Sequence, residues 1–154
     1  MKVKYLGILT ESIADYWNIS EHKNKPILVF EDRINHVIDN HLKDFGSKKT
    51  IKKIYDNLKN IISKPDYVFY NESSKGLEYY KKIDENICVV VRINYGKVLK
   101  VRSWYPVKNT KIENRKKKEN DIKFNEFDES DYSDFFVVIK SFTVILRITL
   151  QVID

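Results

Sequence analysis

The chain has 154 residues, of which 42% are hydrophobic, 13% aromatic and 32% charged; this suits one folded domain with a wet surface and excludes global disorder. A net charge of +6 raises affinity for polyanions, nucleic acid first among them, although the distribution of charge must carry more weight than its sum. The lone cysteine, Cys88, leaves no disulfide framework, and "MKVKYLGILTESI" lacks an apolar stretch of signal-peptide type, so a cytoplasmic location and no membrane partner are expected.

The opening "KVKYLGIL" reads as a short strand, and "TESIADYWNI" as a capped helical turn with Ile13, Tyr16 and Trp17 on one side. After Pro26, "PILVF" is a further short strand. In "EDRINHVIDNHLKDF" the residues Ile34, Val37, Ile38, His41 and Phe45 keep helical spacing, with Asp32 as the expected N-cap and Gly46 as the stop. The clearest helix is "KKTIKKIYDNLKNIISKP", where Ile51, Ile54, Tyr55, Leu58, Ile61 and Ile62 form an apolar stripe ended by Pro65. Its other face carries Lys48, Lys49, Lys52, Lys53 and Lys59, which is either a solvated face or an RNA-binding ridge.

From "DYVFYN" onward the pattern is that of strands. "LEYYKKI" is ambiguous, whereas "ENICVVVRI" and "KVLKVRSWYPV" are β-branched and apolar, joined by a hairpin with Gly96 in its turn. Cys88 fits this setting as a small buried hydrophobe. Strict alternation puts Leu99, Val101, Ser103 and Tyr105 on one face and Val98, Lys100, Arg102 and Trp104 on the other. Residues 109–134 join a basic run to an acidic one and read as a charged linker or arm. Residues 135–154 alternate as a strand that must pair within the domain or with a second copy, so a homo-oligomer through this segment is one expectation.

Metal chemistry fits poorly. His36 and His41 are five residues apart, a rotation of about 140° around a helix, whereas a shared metal asks for spacing of about four. No Cys-x-x-Cys, His-Glu-x-x-His or glycine-rich phosphate loop is present, so neither a metal nor a nucleotide cofactor is expected. Acid–base chemistry without a cofactor remains. RNA cleavage requires a base for the 2′-hydroxyl, an acid for the leaving oxygen and cations for the phosphorane. His36 and His41 on a helix beside a strand bearing Arg102, Ser103 and Tyr105 have the residue types for it; the residues alone favour a half-buried helical His41 and a solvent-facing His36.

The succession "YLGIL", "INHVIDNHLKDF", "IISKPDYVF", "LEYYKKI", "ICVVVRI" and "GKVLKVRSWYPV" resembles the phage-associated nuclease domains of the barnase/EndoU/colicin/RelE-like superfamily, over about residues 1 to 108. The resemblance implies an α+β fold, N-terminal helices packed on an antiparallel β-sheet, followed here by an extra C-terminal strand. It implies a metal-independent endoribonuclease or toxin-like ribonuclease of phage origin. Its paired-histidine helix maps onto His36 and His41, and its Ser-x-Tyr strand end onto Ser103 and Tyr105, with Arg102 adjoining. Where family members often carry a basic residue before the second histidine, this chain has Asn40. Lys48, Lys49, Lys52, Lys53, Lys59 and Lys100 are the expected nucleic-acid contacts. The alternative is a catalytically inactive nuclease-like scaffold that binds RNA or a ribonucleoprotein, with an antitoxin or a host defence complex as protein partner.

Overall fold

The computed structural model describes residues 2–126. Six strands form one sheet: β1 (Val3–Ile8), β2 (Pro26–Phe30), β3 (Tyr67–Asn71), β4 (Gly76–Lys82), β5 (Asn86–Arg92) and β6 (Leu99–Pro106). Four α-helices accompany it: α1 (Glu11–Tyr16), α2 (Arg33–Phe45), α3 (Lys48–Ser63) and α4 (Asn109–Glu126). The strand order is β1-β2-β6-β5-β4-β3. The fold is α+β, but the sheet is mixed rather than antiparallel, because β2 pairs with β6 in parallel. Short turns join β3 through β6 as antiparallel neighbours, and β1 pairs antiparallel with β2 across a connection that holds α1, whereas the two helices between β2 and the later strands form a crossover that permits parallel pairing.

The sheet divides two apolar clusters. On one face, Ile51, Ile54, Leu58 and Ile61 of α3 and Val37 of α2 meet Leu77, Val89, Val91, Val101 and Trp104. Trp104 is fully buried, and its indole N–H donates to the carbonyl of Ile51 at 3.3 Å, which ties β6 to the first turn of α3. Ser47 caps α3 by accepting from the Thr50 amide at 3.1 Å, and Gly46, in the left-handed conformation (φ +82°), ends α2. Asp32 departs from expectation: its carboxylate makes no capping bond and lies 3.9 Å from the Arg33 Nε.

On the opposite face, Phe69, Tyr80 and Cys88 pack against Ile112 of α4. The stretch expected as a charged linker is therefore helical over residues 109–126, with Ile112 buried against the sheet. Its basic composition hid one apolar residue and two long side chains that follow the sheet surface: Arg115 reaches Glu78 (3.2 Å) and Lys116 the hydroxyl of Tyr67 (3.2 Å). The strand expected at residues 135–154, and any pairing between copies through it, lies outside the described residues.

A second correction concerns β6. Its register against β5 runs Val90↔Ser103 and then Val91↔Val101, so Arg102 is an extra residue, a β-bulge. Beyond the bulge the alternation reverses. Leu99, Val101 and Trp104 share the α3 face, while Ser103 and Tyr105 lie on the α4 face with Cys88, the cross-strand partner of Tyr105.

Candidate functional site

The pairing of β2 with β6 spans only Ile27↔Leu99 and Leu28↔Lys100. The chain then turns into α2, which lies against the remainder of β6 in place of a neighbouring strand. Arg33 Nη1 donates to the backbone carbonyl of Arg102 at 3.4 Å across this junction. The bulge and the start of α2 thus meet, and a cleft of about 380 Å³ opens there, lined by Phe30, Asp32, Arg33, Arg92, Lys100 and Arg102.

Four of those side chains are cations. Arg92 and Lys100 stand directly opposite each other across β5 and β6, and both are exposed. Like charges in such a pair oppose folding. Among the described residues, no carboxylate lies within 4 Å of Arg92, Lys100 or Arg102; Asp32, on Arg33, is the acidic member of the lining. Lys100 also lies over the Phe30 ring, 5.1 Å from its centroid. Uncompensated positive charge held at one place is the electrostatic form of an anion site.

His36 sits one helical turn beyond Arg33 on α2 and is partly buried. Its imidazole is held below the ordinary histidine value of 6.5, first by burial, then by the positive charges of Arg33, His41 and Arg102, with Asp39 opposing them. A neutral imidazole at neutral pH is therefore presented beside guanidinium groups. His41 is oriented differently. Its Nδ1 donates to the Asp44 carboxylate at 2.9 Å, and its ring stacks on Tyr105 with centroids 5.0 Å apart and planes 26° apart. Lys111 of α4 lies 5.3 Å from that same Tyr105 ring.

Tyr105 offers its ring, not its hydroxyl. Burial first, and then the neighbouring Cys88 across the strand pair, hold its phenol proton well above the usual range. Cys88 is likewise buried, its thiol pushed up to about 12, which leaves it unreactive at neutral pH. Ser103 is 7% exposed, and its hydroxyl has no hydrogen-bond partner. Arg102, His36, His41 and Tyr105 are thus neighbours along one seam between α2 and β6, whereas Ser103 is buried on the α4 face of the sheet.

The lysines of α3 are placed elsewhere. Lys48, Lys49, Lys52, Lys53 and Lys59 are exposed on that helix, and Lys53 pairs with Asp84 in the β4–β5 turn. None of them lines the cleft, whereas Lys100 does. Two cleft cations escaped the sequence reading, Arg33 and Arg92. Arg33 precedes His36 by three residues, a helical spacing that could have marked it; Arg92 needed the β5–β6 register. Asn40 turns its amide back onto the carbonyl of His36, at 2.8 Å, inside its own helix. Among the described residues, no group of three or more His, Cys, Asp and Glu side chains is arranged to hold a metal, and no helix is long and apolar enough to cross a membrane.

No curated protein and no solved structure matches the chain. A family model does: that of phage-barnase-EndoU-colicin E5/D-RelE-like nuclease 3 matches residues 4–114, a span that takes in β1 from its second residue, every later strand, α2, the cationic cleft and the first turn of α4. With most of its length matched, the chain belongs to this family of phage nuclease domains.

Proposed function

We propose that the chain is a metal-independent endoribonuclease whose substrate phosphate binds in the cleft between α2 and the β6 bulge. The observation that carries this reading is the cleft of unpaired Arg92, Lys100 and Arg102, with a neutral His36 just outside its lining, beside the cleft's Arg33 and Arg102. In-line attack by a ribose 2′-hydroxyl needs a base that is unprotonated near neutrality, and His36 meets that need. Arg33 and Arg102 carry fixed charge to a developing phosphorane, and Lys100 with Arg92 holds the flanking phosphates. His41, with Nδ1 committed to Asp44, keeps Nε2 for a proton transfer to the leaving 5′-oxygen; the Tyr105 ring fixes its plane. Tyr105 acts here as a positioning residue, and Ser103 has no assigned step.

Purified protein incubated with total RNA in EDTA tests the proposal. Cleavage should fall about 10²–10⁴-fold in His36→Ala, the usual contribution of a general base. Cleavage unchanged in both His36→Ala and His41→Ala would remove these histidines from the mechanism.

A second reading is a nuclease-like scaffold that binds RNA or a ribonucleoprotein, for example a host defence complex, without cutting. It is favoured by Asn40, whose side chain is spent on its own helix, and by the buried Ser103 hydroxyl. RNA retained but never cleaved, with binding indifferent to His36→Ala, would decide for it.

A further inference from the structure

A second cavity opens on the other side of Arg92. It measures about 280 Å³ and is walled by Glu21, His22, Tyr70, Lys75, Asn94 and Tyr95, with Arg92 contributing to this cavity and to the cationic cleft alike. Arg92 is therefore common to the walls of both hollows.

Tyr95 is 83% exposed, the most exposed large hydrophobic side chain among the described residues, so it adds almost nothing to the core. Its placement is nevertheless built. The ring lies 5.2 Å from that of His22, tilted by 49°. His22 is 3% exposed; Lys25 Nζ donates to its Nδ1 at 2.7 Å, and the same ammonium donates to the Asn94 carbonyl at 2.8 Å. That carbonyl belongs to the β5–β6 loop, which Asn94 closes further by accepting from the Gly96 amide at 2.7 Å. On the other flank, the Ile93 amide donates to the Lys75 carbonyl at 2.9 Å, fixing the β3–β4 turn beside the cavity. An aromatic face is thus presented to water on a hydrogen-bonded loop, with two cations and several hydrogen-bonding groups around it.

We propose that this cavity receives an unpaired base of single-stranded RNA next to the phosphate bound in the cleft, with Tyr95 as its stacking face and Arg92 on the phosphodiester joining the two nucleotides. The proposal rests on the RNA-directed reading above and adds where the neighbouring nucleotide goes. Stacking suits any base because every base has a π-face, and aromatic platforms beside a cationic groove are how unpaired strands are held. The cavity falls just below the ~300–1,000 Å³ of small-molecule pockets, a size for one base. The carboxylate of Glu21 and the hydroxyl of Tyr70 supply an acceptor and a donor for its edge.

A 2′-O-methyl single-stranded RNA oligonucleotide, which has no free 2′-hydroxyl to be attacked, is titrated against the full chain in EDTA by fluorescence anisotropy. Tyr95→Ala should bind about tenfold more weakly, within the range for loss of one stacked base, while Tyr95→Phe binds as the parent does. On an abasic oligonucleotide of equal length, Tyr95→Ala and the parent should be equal. Equal affinity of parent and Tyr95→Ala for the base-containing oligonucleotide would overturn the subsite, as would an equal loss on duplex RNA, whose paired bases cannot enter. A parent chain that binds Tyr95-dependently but does not cut leaves the subsite standing and removes catalysis; a parent that neither binds nor cuts RNA removes both.

Discussion

Replacing Arg92 by Glu sets stability against function in opposite directions. Arg92 and Lys100 are direct cross-strand partners, both exposed, with no carboxylate in reach among the described residues. Two like charges so placed cost a few tenths of a kcal/mol, and an opposite pair in the same register returns a similar amount. Arg92→Glu should therefore raise stability by about 0.5–1 kcal/mol at low salt, or roughly 2–5 °C in Tm for a domain of this size. The gain should shrink as added salt shortens the screening length. Affinity for single-stranded RNA should fall at the same time, and the slope of log K against log salt should drop by about 0.7 for the lost phosphate contact. Thermal melts at low and high salt, paired with anisotropy titrations across a salt series, measure both halves. An Arg92→Glu chain that melts lower at low salt, or that keeps the parent's RNA affinity and slope, would refute the account of the cleft as an uncompensated anion site.

The pH dependence has a definite sign. His22 and His36 are both held below 6.5 in the fold, each first by burial, so the unfolded chain binds more protons. Stability should therefore be complete above about pH 6.5 and fall as pH drops through the depressed folded values; urea melts of the parent and His36→Gln should diverge in that acid window and coincide at pH 8. If His36 is the base, removing a positive neighbour by Arg102→Gln should move the acid limb of the RNA-cleavage profile to higher pH, and a limb that stays in place would detach Arg102 from His36. Glu78 is mostly buried, accepting from the Tyr80 hydroxyl at 2.8 Å and pairing with Arg115 at 3.2 Å. Glu78→Ala should cost about 2–4 kcal/mol in urea unfolding by stranding both partners, while Glu78→Ala combined with Arg115→Met should recover part of the loss; strict additivity would show that α4 is not anchored through this pair.

Much of the architecture was legible in local pattern. The apolar stripes of α2 and α3, the Gly46 stop and the β-branched runs of β5 and β6 are dictated by spacing over a few residues, and they formed as the spacing requires. The charged segment after Pro106 did not announce α4, because a helix whose first turns carry Ile112 among charged residues looks like a solvated arm until a sheet face bearing Phe69, Tyr80 and Cys88 is laid against it.

The chemistry-bearing residue types around His36 could be named from the chain alone, since a residue's own titration range and charge are local properties. Which of them meet was decided by tertiary structure. One extra residue at Arg102 reverses the faces of β6, moving Ser103 and Tyr105 away from Leu99 and Val101. Period-two reasoning cannot foresee this, because a bulge is defined by the partner strand's register. The same register places Arg92 against Lys100, and the short parallel pairing of β2 lets α2 deliver Arg33 and His36 to the bulge. The cationic cleft thus exists because three segments distant in sequence converge, and their cross-strand and helix–strand geometry, not any local motif, sets its charge.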